Sequence, residues 1–585
     1  MAVMTTCRSA TEHFMTTWDG SKLFYRCWQP AVPTNKALLL FHRGHEHSGR
    51  FQEFVDELGL EDVAIFAWDA RGHGKSPGER GYADNFACIV KDIDTFACHI
   101  AHEHSIPLEN MVVLGHSVGA VAVAAWVHDY APPIRALILT TPALRVKLYI
   151  PFAIPGLRIW QAIKGKAFIK SYVKATLLTH DREQAERYRN DPLISRSIAV
   201  NILLDLFDTS TRLLDDAGAI RVPTLLQAAG SDWVVKLSAQ KKFFQRLGSE
   251  SKEMIVYPGF FHALLHEKDR RLPIAKIREF MVQSFETPYK QRPLLDAHRH
   301  GYAKEEYDRL VQPLPLWCPK RWGFAIVRFL MKTFGRWSEG IKIGWRTGFD
   351  SGESLDYIYA NQAQGRFGLG KLFDRIYLNS VGWKGIRQRK IHLQKILQAA
   401  IEKVHSEGKP VHVVDIASGP GRYLLDTLKK VEHIPVSAVL RDWSDHGLEA
   451  GRKLAREMNV PKVAYVKGDA FDPKSLVEIA PRPTIAIVSG LYELFPDNDR
   501  VSASLRGLAA ALQDGGYLIY TNQPWHPQVE FIARVLINRD GQAWVMRRRT
   551  QAEMDDLVRA AGFEKLDMQI DNFGIFTVSL ARKKG

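Results

Sequence analysis

The chain alternates short apolar runs with stretches of helical period over two separate regions. In residues 1 to about 285, Ala37–Phe41 (ALLLF), Val63–Trp68 (VAIFAW), Met111–Leu114, Ala136–Leu139, Thr224–Gln227 and Glu253–Tyr257 are apolar or β-branched runs. Runs without polar alternation suit strands buried on both faces, and helix-like segments between them predict a parallel sheet covered on both sides. Residues 145 to about 215 break the pattern with helical, mostly polar sequence (HDREQAERYRND) and no predicted strand. They read as an insertion between strands. Alternation resumes over 401–585. There Val411–Ile416, Ser437–Leu440, Val463–Lys467, Thr484–Val488 and Tyr517–Tyr520 are predicted as parallel strands, and Phe563–Leu566 with Gly574–Leu580 as a closing hairpin. Residues 286 to about 400 carry few strand signals and interleave aromatic, glycine and basic residues. The pattern predicts an α/β protein with domains at 1–285 and 401–585, joined by a basic, aromatic-rich connector and N-terminal extension at 286–400.

The run Val112–Ala120 (VVLGHSVGA) passes from a predicted strand through G-x-S-x-G into an Ala/Val-rich helix. A nucleophile on such a turn needs small neighbours, here Gly115 and Gly119, and stands at the carboxyl end of the sheet above a helix N-terminus. An acid is then expected after a later strand and a histidine after the last. Asp232 follows Val222–Gln227, and His262 follows Met254–Tyr257. Ser117 is the predicted nucleophile, His262 its base and Asp232 the orienting acid. The predicted oxyanion-hole donors are the N–H groups of Val118 and of Gly44, the latter in the loop after the first buried strand. His42, His45, His47 and His116 read as hydrogen-bonding loop residues, because no third ligand spacing accompanies them, and no metal is expected.

Residues 15–285 resemble the monoacylglycerol lipase/lysophospholipase branch of the α/β-hydrolases. His42–Phe51 (HRGHEHSGRF), Asp69–Gly78 (DARGHGKSPG), Gly115–Gly119, Gly230–Asp232 and Pro258–Glu267 carry the resemblance. It implies ester hydrolysis on a small single-chain acyl lipid, with residues 145–215 as a helical cap over the acyl tunnel. The family's first loop reads HG followed by a small residue, and His42-Arg43-Gly44 departs from it.

A second site is written in Val411–Leu424 (VHVVDIASGPGRYL), a strand, a Gly-rich turn and a helix. Asp415, Ala417, Gly419 and Gly421 fit acid-x-G-x-G-x-G with Ala in the first Gly position, which lets a ligand approach the backbone closely. Asp442 closes the next strand and suits a ribose diol. Asp469 after the third strand suits an adenine amino group, with Phe471 beside it for stacking. Ser489 ends the fourth strand at the point where ligands sit. Tyr492, Glu493, Asn522, Trp525 and His526 lie on the same edge, with no acceptor base distinguished among them. The set resembles a Rossmann-like class I methyltransferase with S-adenosyl-L-methionine as cofactor. Residues 321 to 585, through Ser489–Pro496 (SGLYELFP) and Thr521–Gln528 (TNQPWHPQ), further resemble a bacterial methyltransferase family often fused behind a hydrolase. An NAD(P)-dependent dehydrogenase is the competing reading, opposed by Ala417 and by the acid after strand three.

Composition excludes a disordered or fibrous chain, with 46% hydrophobic and 24% charged residues over 585 positions. Five cysteines (Cys7, Cys27, Cys88, Cys98, Cys318) without a CxxC pair read as free thiols in a reducing compartment. The N-terminus lacks the apolar region of a signal peptide and no run is long enough to span a bilayer, so the expected location is cytoplasmic. The net charge is +15, and residues 289–400 hold 20 Lys and Arg against 9 Asp and Glu. The mixture of Trp, Phe, Arg and Lys in 317–349 suits peripheral contact with the inner, anionic face of a membrane. It equally suits a helical extension packed on the second sheet. RNA ranks lower because a lipid-hydrolase pattern shares the chain. Three functions follow: a lipid ester hydrolase fused to a methyltransferase of unknown acceptor, an RNA methyltransferase with an accessory hydrolase, or a non-catalytic membrane-docking scaffold.

Overall fold

The computed structural model describes residues 8–171 and 173–585. Cys7 and the first seven residues of the N-terminal segment lie outside them. The chain divides between Gln291 and Arg292 into two compact units.

The first unit is built on an eight-stranded sheet of order β1-β2-β4-β3-β5-β6-β9-β10. Its strands are β1 (Thr11–Thr16), β2 (Lys22–Trp28), β3 (Ala37–Phe41), β4 (Ala64–Trp68), β5 (Met111–His116), β6 (Ala136–Thr140), β9 (Thr224–Ala229) and β10 (Lys252–Tyr257). From β4 through β10 neighbours pair in parallel, and β1 and β2 add an antiparallel edge. Every residue of β3, β4, β5, β6 and β9 is buried, which is why their sequences are apolar without alternation. The β1–β2 hairpin was not predicted. Its turn carries Asp19-Gly20, with Gly20 at φ 84°, the local signal for such a connection.

Between β6 and β9 lie helices Ala153–Lys164, Arg182–Asn190 and Val200–Asp216. Two three-residue strands, β7 (Phe168–Lys170) and β8 (Ser197–Ala199), pair antiparallel within this insertion, correcting the expectation of a strandless segment. Helix Ala153–Lys164 has no buried residue.

The second unit holds a seven-stranded sheet of order β13-β12-β11-β14-β15-β17-β16. The strands are β11 (Val411–Ile416), β12 (Val436–Asp442), β13 (Val463–Lys467), β14 (Ile485–Val488), β15 (Tyr517–Asn522), β16 (Phe563–Ile570) and β17 (Thr577–Lys583). The first five are parallel, and β16–β17 closes the edge as an antiparallel hairpin. That closure differs from the 3-2-1-4-5-6 order of a dinucleotide-binding sheet. Strand order reverses between β11 and β14, which opens a crevice at their carboxyl ends.

The residues read as a connector belong, from Arg292 onward, to this second unit. Helix Val381–Ser406 buries Leu393, Ile396, Leu397 and Ile401 against Val411, Val413 and Ile519. Phe349, Ile358, Leu378, Trp383 and Ile386 pack with Val535, Met546, Ile575 and Phe576. The 317–349 segment therefore splits. Ile341, Ile343 and Phe349 are buried, whereas helix Pro319–Thr333 has no buried residue.

Candidate active sites

In the first unit, β5 ends in a turn that holds Ser117 at φ 56°, ψ −109°. A non-glycine residue in this region is strained, and such strain persists where the surroundings over-determine it. A Cβ on Gly115 would stand 2.6 Å from Ala120 Cα, and one on Gly119 would stand 2.5 Å from the His42 carbonyl oxygen. Both glycines are thus required for the turn to close. Ser117 then caps helix Val118–Tyr130 from above, 4% exposed.

His262 Nε2 lies 2.8 Å from Ser117 Oγ, and His262 Nδ1 lies 2.8 Å from Asp232 Oδ2. Asp232 Oδ1 accepts from the N–H groups of Val234 (2.7 Å) and Val235 (2.9 Å). Burial alone would raise the Asp232 carboxyl. Its charge interaction and hydrogen bond with His262, together with the two backbone donors, outweigh burial and hold it below the usual carboxylate range. With Oδ2 as acceptor, Nδ1 carries the proton and Nε2 is free to accept from the serine hydroxyl.

Gly44 lies against Val118, since a Cβ on Gly44 would stand 3.1 Å from Val118 Cγ2. The departure at Arg43 has its own partners. Its guanidinium pairs with Glu46 at 2.7 Å through two nitrogens and stacks 4.9 Å from the Tyr188 ring of the inserted helices. His42 donates to Arg43 O and accepts from Ala70 N–H, and burial lowers its basicity. His47 binds Asp191 of the insertion at 2.8 Å. His266 bonds the Arg50 carbonyl at 3.1 Å and is not brought to Ser117.

In the second unit, β11 runs into a turn with Ala417 at φ 54°, Gly419 at φ 53° and Gly421 at φ 71°. Space is open where a Cβ on Gly419 would stand, whereas one on Gly421 would meet Leu440 Cδ2 at 2.0 Å. The first glycine leaves a cradle and the second permits packing. Asp442, closing β12, accepts from Gly419 N–H at 2.8 Å and Ser444 N–H at 2.8 Å, so its carboxylate lies at the rim of the cradle. Asp469 is exposed and accepts from Phe471 N–H at 2.8 Å, and the Phe471 ring meets Phe495 edge-on. Ser489 follows β14, and Gly490 N–H donates to Thr521 Oγ1 at 2.8 Å. This donor set of an open glycine turn and two carboxylates fits a nucleoside-bearing group.

Asp415 is fully buried. Tyr423 OH donates to its Oδ2 at 2.6 Å, and burial pushes its carboxyl up to about 8. Of the edge residues, Tyr492 and Asn522 are buried and bonded to Ser504 and to the Arg549 carbonyl. Glu493 and His526 instead face a cavity. Arg389, absent from the sequence reading, joins them from helix Val381–Ser406, with Nη1 3.7 Å from Glu493 Oε1. No local motif marks it, because its role depends on the helix crossing the sheet edge.

Comparison with known proteins finds two family matches along the chain. Residues 277–583 match the family model described as "Putative methyltransferase", and residues 33–269 match "Serine aminopeptidase, S33". The Escherichia coli (strain K12) protein named "Uncharacterized protein YnbC" is 50% identical over 586 residues, covering 99% of this chain and all of the relative. The "Monoacylglycerol lipase" of Mycolicibacterium smegmatis is 24% identical over 274 residues, 46% of this chain and 97% of its own. Among solved structures, the monoacylglycerol lipase of Paleococcus ferrophilus aligns with 23% identity and a TM-score of 0.41, covering 45% of this chain and 99% of its own. The chain belongs to the "Putative methyltransferase" family, as a fusion of an α/β serine hydrolase with a methyltransferase domain.

Proposed function

We propose that the first unit hydrolyses esters of single-chain acyl lipids, of monoacylglycerol or lysophospholipid type, through Ser117, His262 and Asp232. Ser117 Oγ attacks the ester carbonyl as His262 Nε2 takes its proton. Asp232 holds the imidazole in the required tautomer and stabilises the imidazolium that forms. The N–H groups of Gly44 and Val118 receive the developing oxyanion. His262 returns its proton to the departing alcohol, and water then releases the fatty acid by the same steps in reverse order. The observation that carries this reading is the continuous hydrogen-bond chain from Ser117 to Asp232, both bonds at 2.8 Å. Ser117→Ala is expected to abolish hydrolysis of p-nitrophenyl butyrate, and equal activity in that variant removes the assignment.

The second unit, in the same reading, transfers a methyl group from S-adenosyl-L-methionine. Bound there, the cofactor supplies an electrophilic methyl group. The turn Ala417–Gly421 would receive it, with Asp415 and Ser489 beside the turn. Asp442 would accept from its ribose hydroxyls, Asp469 from its adenine amino group, and Phe471 would flank the base. Isothermal titration with S-adenosyl-L-methionine tests this, and no binding refutes it.

The protein works at the cytoplasmic face of an anionic membrane, docked through helix Pro319–Thr333. Among the described residues no helix is long and apolar enough to cross a membrane. That helix exposes Trp322, Ile326 and Phe329 on one side and carries Arg321, Arg328 and Lys332 on another. This is the arrangement of an interfacial helix.

A further inference from the structure

A cavity of about 550 Å³ lies in the second unit between helices Pro319–Thr333, Phe367–Leu378 and Val381–Ser406 and the carboxyl ends of β14 and β15. Its inner end begins at Gly490, the residue after Ser489, and includes Glu493, Gln523, His526 and Arg389. The walls are apolar, built from Trp383, Ile386, Ile532, Met546 and Phe576, each at most 8% exposed. Val327, Leu330, Phe334 and Ile376 line it too, yet are 36–62% exposed, and they form its mouth. Three of those four belong to the Pro319–Thr333 helix or its immediate continuation.

We infer that this cavity holds the aliphatic chain of the methyl acceptor, with a hydroxyl-bearing head group seated at Arg389 and Glu493. The inference rests on the methyltransferase reading and names the class of its substrate. A largely apolar cavity with a buried polar group at Arg389 and Glu493 matches a single-chain amphiphile, and its volume is that of a small-molecule site. The polar end lies next to the crevice where the methyl donor would bind, so the head group is the part that can react. The mouth is formed by the same helix, Pro319–Thr333, whose other faces carry the exposed apolar and basic residues proposed to meet the membrane.

The head group follows from hydrogen-bond accounting. Arg389 Nε and Glu493 Oε2 are both buried and lack a partner, and the two side chains approach only to 3.7 Å. A hydroxyl can accept from the guanidinium and donate to the carboxylate, which satisfies both. A carboxylate has no proton to give and would stand beside Glu493. His526 offers an anion no second cation, since burial pushes it down to about 3.

Photolabelling tests the proposal with the full chain and no S-adenosyl-L-methionine present. The probe is a C16 alcohol bearing a mid-chain diazirine, and adducts are mapped by peptide mass spectrometry. Adducts within 327–386 and 523–546 are expected. They should fall at least tenfold in Ile386→Phe, which fills the wall, and in Leu330→Arg, which charges the mouth and leaves the core untouched. Adducts confined to residues 8–291, or undiminished in Leu330→Arg, overturn the cavity assignment. Equal labelling by the matching C16 carboxylate overturns the head-group assignment. Calorimetry with S-adenosyl-L-methionine separates the two readings. Cavity labelling without cofactor binding leaves the lipid site standing and removes the methyl donor, whereas cofactor binding without cavity labelling does the reverse.

Discussion

Replacing Asp232 by Asn isolates the electrostatic part of the hydrolytic site. The amide keeps one oxygen for the N–H groups of Val234 and Val235, so the loop has no reason to move. Its NH₂ group then faces His262 Nδ1 in place of Oδ2. Nδ1 must accept, the ring proton shifts to Nε2, and Nε2 points a donor at Ser117 Oγ. The variant also removes the charge that stabilises the imidazolium. At the 2.8 Å separation of His262 Nδ1 and Asp232 Oδ2, an effective dielectric of about 20 gives an interaction of about 6 kcal/mol. Both side chains are 2% exposed, so solvent screens little of it. At about 1.36 kcal/mol per decade this corresponds to roughly four decades in rate, in line with the ~10⁴-fold effect of the same change in other serine hydrolases. The assay is kcat for p-nitrophenyl butyrate at pH 7.5, with a thermal melt to confirm folding. A folded variant that keeps more than a tenth of the wild-type rate refutes the assigned role of Asp232.

Further outcomes are expected in the second unit. Asp442→Ala removes an acceptor at the rim of the glycine turn and should weaken S-adenosyl-L-methionine binding by about 10–100-fold, as hydrogen bonds to charged groups contribute roughly 1.5–3 kcal/mol. Unchanged calorimetric affinity contradicts that placement. Asp415, raised to about 8 when folded, binds its proton more tightly in the native than in the unfolded state. Its contribution is fully present below the unfolded carboxylate value near 3.8 and is lost as pH rises through about 8. The thermal midpoint of the second unit should therefore fall from about pH 4 to about pH 8 and level off above it, and more steeply in the wild type than in Asp415→Asn. Parallel profiles would falsify the buried-proton assignment. Trp322 is 60% exposed, and Trp322→Ala should lower co-sedimentation with phosphatidylglycerol vesicles by about 30-fold, from roughly 2 kcal/mol of lost apolar burial. RNA binding tighter than vesicle binding would redirect that surface to a nucleic acid.

Much of this architecture is written locally. The central strands are legible because a strand buried on both faces has no polar alternation, as in Ala37–Phe41 and Val411–Ile416. The hydrogen-bonded set of Ser117, His262 and Asp232 is legible because chain order and strand ends constrain it. Other features depend on remote partners. Arg547, Arg548 and Arg549 are three consecutive cations, yet all three are buried. Arg547 pairs with Glu553 at 2.6 Å, Arg548 with Glu306 at 2.5 Å, and Arg549 donates to the Tyr492 and Phe495 carbonyls at 2.6 Å. Such a run is affordable inside only because acceptors from distant segments converge on it. The strands of the insertion, three residues each, carry too little pattern to be seen. Tyr423, eight residues after Asp415, was within reach of the sequence, since the first turn of the helix after a glycine loop faces back toward the strand end.

The basic excess of residues 289–400 resolves into two groups with different work. Lys390 pairs with Asp426 at 2.8 Å, Lys342 with Glu339 at 3.2 Å, and Arg346 with Glu353. Arg389 is spent inside, beside Glu493. These charges are partly neutralised within the second unit. On helix Pro319–Thr333, where Lys320 pairs with Glu530 at 3.2 Å, the other three cations are arranged differently. Arg328 and Lys332 stand 5.9 and 5.0 Å from the Trp345 ring rather than opposite a carboxylate, and Arg321 donates to the Leu314 carbonyl. Cation–π and carbonyl contacts orient a cation without cancelling its charge. Three cations thus keep their field beside Trp322, Ile326 and Phe329, none of which is covered. An anionic surface reaching this helix gains from both terms at once, and the screening length of about 8 Å at physiological salt confines the gain to surfaces in contact. The charge of the segment therefore supports the proposed docking through one short helix, which also forms the lip of the apolar cavity.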